Sequence, residues 1–94
     1  MAAYIIADLT IHDPAGYAAY AEQVAPLVEK YGGRFVVRRG NVVPLEGEAP
    51  RDFIAVRFES MADAKCFYDA PDYAGPCALR RKSATGNVFI VDGL

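Results

Sequence analysis

The sequence predicts an α+β domain in which two successive β-α-β units supply one four-stranded antiparallel sheet. Short runs rich in β-branched and aromatic residues recur four times along 94 residues. Between the first and second, and again between the third and fourth, apolar residues recur at steps of three and four. Gly, Pro, Asp and Ser mark the changes from one pattern to the other.

Tyr4 to Ile11, YIIADLTI, reads as the first strand. Asp13-Pro14 follows; Asp is a good N-cap and Pro is preset for the first helical position, so a helix starts there. Tyr17, Tyr20, Ala21, Val24, Leu27, Val28 and Tyr31 form its apolar stripe, Pro26 interrupts it and is expected to kink it, and Gly32-Gly33 ends it. Arg34 to about Arg39 is the second strand. Residues 40–50 form a loop, with a short extended piece at Asn41-Val42-Val43. Asp52 to Glu59 is the third strand. Ser60 with Asp63 makes a capping-box pattern, so a helix runs on through Ala64, Phe67 and Tyr68. Pro71 opens a second helical piece carrying Tyr73, which Gly75-Pro76 is expected to disturb. Asn87 to Asp92, NVFIVD, is the last strand. The order fits the split βαβ, or ferredoxin-like, sandwich: a single domain over residues 1–94 with both helical layers on one face of the sheet.

A chain of this size can bury roughly 60–70% of its unfolded surface. Hydrophobic residues are 53% and charged residues 23%, a globular composition. The net charge of -2 and a pI near 5.2 argue against a broad basic surface for nucleic acid. No stretch approaches a membrane span. The start, MAAYIIADLTIHD, lacks a basic leader region, so a cytoplasmic location is expected. Cys66 and Cys77 lack zinc or redox spacing and are expected to be free thiols.

Alternation within the strands carries a further expectation. Tyr4 and Ile6 are apolar, and so are Ile5, Ala7 and Leu9; Phe53 and Ala55 are matched by Ile54 and Val56, and Val88 and Ile90 by Phe89 and Val91. Helices on one side cover only one of these faces. The second would be a large apolar patch. A second copy packed about a two-fold axis covers it, so a homodimer is expected.

Several pieces also resemble a known family: Asp13-Pro14 with Tyr17 and Tyr20, KYGGRFVVR, Leu45-Glu46-Gly47, Ser60 with Ala64-Lys65, FYDAPDY, Leu79-Arg80, and the closing VDG. Together, across nearly the whole chain, they resemble the small bacterial domain-of-unknown-function family numbered thirteen-thirty. That family is similar to the dimeric α/β-barrel superfamily, which includes antibiotic-biosynthesis monooxygenases and muconolactone isomerases. The resemblance implies a ferredoxin-like protomer, a two-fold dimeric α/β barrel and a small-molecule pocket between sheet and helices, with no agreed reaction. Arg57 stands where the resemblance leads one to expect an acid, Arg39 where it leads one to expect glycine, and Ala70 where it leads one to expect serine. The loop after Gly40 is also shorter.

The residues that could carry chemistry are few. Arg57 lies inside an apolar strand. It either snorkels to the rim, pairs with a carboxylate such as Asp8 or Glu59, or receives an anion. His12, the single histidine, is either an exposed junction residue or, with Asp8, a proton-transfer group. Tyr20 and Tyr68 are either core residues or turn their hydroxyls into a pocket. Arg34 marks a helix-to-strand corner. Alternation sends Arg38 and Arg39 to opposite faces, so that one of them meets Arg57 near an anion. Arg80 completes the ligand-binding candidates Arg38, Arg57, Tyr20, Tyr68 and Arg80; His12 and Asp8 are the catalytic ones. No phosphate loop, nucleophile elbow or metal-binding histidine cluster is present, so no cofactor and no metal is expected. The expectation is a protein that binds a carboxylate or phenol. The alternatives are a cofactor-independent monooxygenase- or isomerase-like enzyme, and a structural dimerisation module without ligand.

Overall fold

The computed structural model describes residues 1–94. Its elements are β1 (Ala3–Ile11), α1 (Pro14–Lys30), β2 (Arg34–Arg38), β3 (Asp52–Phe58), α2 (Met61–Tyr68), a 3-10 turn (Pro71–Tyr73), α3 (Ala74–Ser83) and β4 (Ala84–Asp92). The sheet order is β2-β3-β1-β4, with every neighbouring pair antiparallel. This is the ferredoxin-like arrangement. No helix is long and apolar enough to cross a membrane.

Local chemistry explains the boundaries. The Asp13 carboxylate accepts from the Gly16 amide at 3.2 Å and caps α1. At the other end Gly32 takes φ +83°, and Gly33 and Gly32 donate to the Val28 and Glu29 carbonyls. That double bond is a Schellman cap, which glycine makes without steric cost. Ser60 caps α2 by accepting from the Asp63 amide.

Three expectations are corrected. Pro26 does not interrupt α1, which runs unbroken from Pro14 to Lys30: it lies on the exposed side, where water can satisfy the carbonyl of exposed Glu22. Gly75 and Pro76 do not disturb α3, because they fall in its first turn, where the missing proline N–H would be unpartnered anyway. Asn41-Val42-Val43 forms no strand, and Val43 is 77% exposed.

Register decides which side chains meet the helices. Ile5 pairs with Val56 and Ile90, and Ala7 with Ile54 and Val88. These residues face the helices and join Leu9, Val24, Val28, Phe58, Phe67 and Tyr73 in one core. The full burial of a side chain such as Phe58 contributes about 1.5–3 kcal/mol. The other face carries Tyr4, Ile6, Phe53, Ala55, Phe89 and Val91, with no helix over it. Phe89 and Val91 remain 49% and 45% exposed.

β2 departs from simple alternation. Phe35 pairs with Val56 but Val37 pairs with Ala55, so Val36 is an extra residue, a β-bulge. After the bulge Arg38 pairs with Ile54 and shares the helix-facing side with Phe35. Arg39 then turns with φ +53°.

Candidate functional site

Between the helices and the inner face of the sheet lies a cavity of about 310 Å³. Ile5, Ala7, Leu9, Ile54 and Val56 form its floor, and Tyr17, Tyr20, Val24 and Val28 of α1 form one wall. Phe67, Tyr68 and Tyr73 close it from the α2–α3 side. Stacked rings connect these walls: Tyr17 and Tyr20 are 5.3 Å apart, Phe67 and Tyr73 4.7 Å, and Tyr68 and Tyr73 5.5 Å. The polar side chains are four tyrosines and three arginines; no Asp, Glu or His lines the cavity.

Arg80 is the most unusual of these residues. Its side chain is buried, only 7% exposed, yet it has no carboxylate partner. One Nη donates to the Cys77 sulfur at 3.4 Å, and Nε makes no hydrogen bond. Burial pulls its pKa down, but the Tyr73 and Tyr20 oxygens outweigh this and hold it above the ordinary value. Arg80 is therefore a permanent cation in an apolar cavity.

Tyr17, Tyr20 and Tyr73 stay neutral. Tyr20 and Tyr73 share a hydrogen bond at 3.1 Å. Burial pushes the Tyr20, Tyr73 and Tyr17 hydroxyls up, and the Tyr73 oxygen raises Tyr20 further. One hydroxyl of the Tyr20–Tyr73 pair must donate to the other, which leaves a second O–H free to serve a ligand. Tyr68 accepts from Arg81 at 3.4 Å and lies 4.0 Å from the Cys77 sulfur.

At the β2 side, Arg38 and Arg39 both line the cavity. This corrects the expectation of opposite faces: the bulge at Val36 and the left-handed turn at Arg39 bring the two together. The Arg38 guanidinium lies 4.4 Å from the centre of the Phe35 ring, and that of Arg39 lies 5.5 Å from the Tyr17 ring. Arg39 also donates to Asp52 at 3.3 Å, and Asp52 accepts from the Ile11 amide at 3.1 Å. Arg38 has no ion-pair partner.

Of the sequence-derived candidates, Arg38, Tyr20, Tyr68 and Arg80 meet in this cavity, and Asp8, His12 and Arg57 do not. Asp8 lies in β1 opposite Phe53 and Asn87, on the helix-free face. Arg57 is on that face too, between Tyr4 and Arg34, and donates to Glu59 at 3.2 Å. It therefore does not meet Arg38 or Arg39. His12 is exposed at the β1–α1 junction, its amide bonded to the Ser83 carbonyl. No three His, Cys, Asp or Glu side chains converge as a metal cluster would require. Tyr17 and Tyr73 are cavity residues that sequence reasoning did not select; Arg39, paired with Arg38 in that reasoning, lines the cavity as well. The core stripe of α1 carried the signal for Tyr17, and the Pro71 helix start carried it for Tyr73.

The fold recurs in solved structures of low sequence identity. A protein of unknown function, RPA0582 from Rhodopseudomonas palustris, superposes with a TM-score of 0.77 at 18% identity, over 99% of this chain and 82% of that one. Its methylated form gives 0.74 at 18% identity, over 99% and 81%. SnoaB, a cofactor-independent oxygenase from Streptomyces nogalater, gives 0.70 at 13% identity, over 99% and 93%. At these identities the likeness is one of fold. No curated protein sequence matches the chain. A family model does match, over residues 2–94, and on that match the chain belongs to the family described as a domain of unknown function, DUF1330.

Proposed function

We propose that this protein binds a small organic anion, a carboxylate or a phenol, in the cavity between sheet and helices. One observation carries the reading: Arg80 is buried without a carboxylate at the edge of an apolar cavity, and its Nε is unbonded. An unpaired buried charge costs several kcal/mol, and a structural arginine would be expected to find a protein acid. A ligand acid is the missing partner, and the free tyrosine hydroxyl supports it with a neutral hydrogen bond. The cavity volume falls at the lower end of the range for small-molecule sites. Two further features complete the proposal. A second copy covers the helix-free sheet face, giving a dimeric α/β barrel, and the free Cys66 and Cys77 thiols suit the reducing cytoplasm.

Native mass spectrometry of freshly purified protein tests this reading. The wild type should retain an organic acid, and Arg80→Met should retain none. Bare protein in both cases would argue for the dimer-only scaffold.

A second reading is a cofactor-independent oxygenase or isomerase. The Tyr20–Tyr73 hydroxyl pair beside Arg80 favours it, since that set would stabilise a phenolate or enolate. SnoaB, of similar backbone, is a cofactor-independent oxygenase. Binding ranks first because no carboxylate or imidazole base lines the cavity. Oxygen uptake with phenolic probes detects the oxygenase, and NMR of the probe for a mass-neutral rearrangement detects the isomerase; neither signal is expected of a binder. Turnover that falls in Tyr20→Phe and survives His12→Ala and Asp8→Asn would favour the enzyme.

A further inference from the structure

We infer that the ligand carries two acidic groups at the ends of an apolar spacer. The inference rests on the anion-binding reading above and extends it to a substrate class. Three guanidinium groups line the cavity, and they are not equivalent. Arg39 is already neutralised by Asp52. Arg38 and Arg80 have no carboxylate within ion-pair distance, and the cavity wall supplies none. The site therefore holds two positive charges that the protein leaves uncompensated.

The fold separates those charges. Arg38 belongs to β2, one edge strand of the sheet. Arg80 comes from α3 and also borders a shallower groove lined by Ala84, Thr85 and Gly86 of β4, the opposite edge strand. The edge strands are three spacings apart, roughly 14 Å at about 4.8 Å each. Between them the floor is Ile5, Ala7 and Ile54, which offers no hydrogen bond to a polar linker.

The two ends also differ. Arg80 is buried and has no carboxylate partner, so its guanidinium would hold a desolvated carboxylate. Arg38 is exposed and held over the Phe35 ring, so its carboxylate would sit at the mouth, partly in water. Arg80 supplies most of the affinity, and Arg38 supplies the preference for a second acid. The bulge at Val36 is what makes the second anchor available, because plain alternation from Phe35 would have turned Arg38 away.

Isothermal titration on the intact protein tests this. The probes are the unbranched dicarboxylates from hexanedioate to decanedioate and the monocarboxylates of equal chain length. For the best-fitting length, the dicarboxylate should bind about tenfold tighter than its monocarboxylate, equivalent to about 1.4 kcal/mol. Arg38→Gln should erase that preference, so that the dicarboxylate and its monocarboxylate bind alike. Arg80→Met should weaken both series. Equal binding of the two series, unchanged in Arg38→Gln, would overturn the second anchor and leave the anion pocket standing. No binding of either series would overturn the pocket and this inference together.

Discussion

Arg80 shows why a single residue can give evidence of a ligand. Its guanidinium faces the neutral Tyr73 and Tyr20 hydroxyls and the Cys77 sulfur, all weaker partners than a carboxylate. Such a residue lowers stability unless something outside the chain compensates it. Arg80→Met, similar in length and uncharged, should therefore stabilise the ligand-free protein by about 1–2 kcal/mol, judged from replacements of buried charges by packed apolar groups. Denaturant unfolding measures this. A loss of stability would make Arg80 a structural residue. The sequence directed attention to Arg57 instead, because Phe53, Ile54, Ala55, Val56 and Phe58 surround it. Strand alternation sends Arg57 to the helix-free face, beside Glu59. Arg80 is also a sequence candidate, but it stands beside Arg81 and Lys82, so nothing in its immediate neighbours marks it as buried. The legible signal was the step pattern Tyr73, Cys77, Arg80, Ala84, whose other members are apolar and buried. An arginine in a core stripe is a stronger cue than an arginine in a strand, because a strand has two faces to offer.

At the scale of elements, caps and turns were readable and irregularities were not. Asp13, Gly32 and Ser60 act locally, through bonds to backbone groups within a few residues, so their roles follow from sequence spacing. The bulge at Val36 is a relation between two strands, and nothing in Phe35-Val36-Val37 announces it. β4 begins at Ala84 rather than Asn87 for a related reason. Gly86 reads as a breaker, yet here it lets β4 approach β1, where a Cβ would lie 2.1 Å from the Asp8 carbonyl oxygen. One tether between elements has a pH signature. Asp72 of the 3-10 turn accepts from Lys30 at 2.8 Å and from the Tyr31 hydroxyl at 3.0 Å. The Lys30 bond is the main cause that holds Asp72 below its ordinary 3.8, and the same bond raises Lys30 above 10.5. The unfolded chain then binds more protons at Asp72 than the folded chain does. The tether stabilises above pH 3.8 and is lost as pH falls through the lower folded value. At the alkaline end it persists until pH passes the raised Lys30 value. Asp72→Asn should therefore melt below the wild type at neutral pH, and thermal scans should show that gap closing once the pH is below 3.8. A gap independent of pH would assign the effect to packing.

The whole molecule is a slab with principal extents of 33 × 32 × 16 Å, one sheet and one helical layer thick. This slab carries apolar residues on both sides of its sheet, and sheets stack face to face at about 10 Å, the packing the proposed dimer would use. In the proposed dimer Phe89, which pairs with Ile6 on the helix-free face, lies in the interface. Phe89→Glu should convert the dimer to a folded monomer in sedimentation equilibrium, because two like charges would be buried against each other. An unchanged dimer would place the interface elsewhere. The fold class was legible at this scale because it depends on element order alone, whereas the cavity depends on the register and bulge that place Arg38 and Arg80 around one space. If Arg80 takes its counter-charge from a bound acid, its Nε–H, unbonded in the ligand-free protein, should respond when one binds. The decisive measurement is the nitrogen–proton NMR signal of Arg80 Nε, assigned by its loss in Arg80→Met and followed as 4-hydroxybenzoate is added. A downfield shift and slower exchange with solvent are expected as the carboxylate binds the Arg80 guanidinium. A signal that stays in place while other cavity resonances move would contradict it.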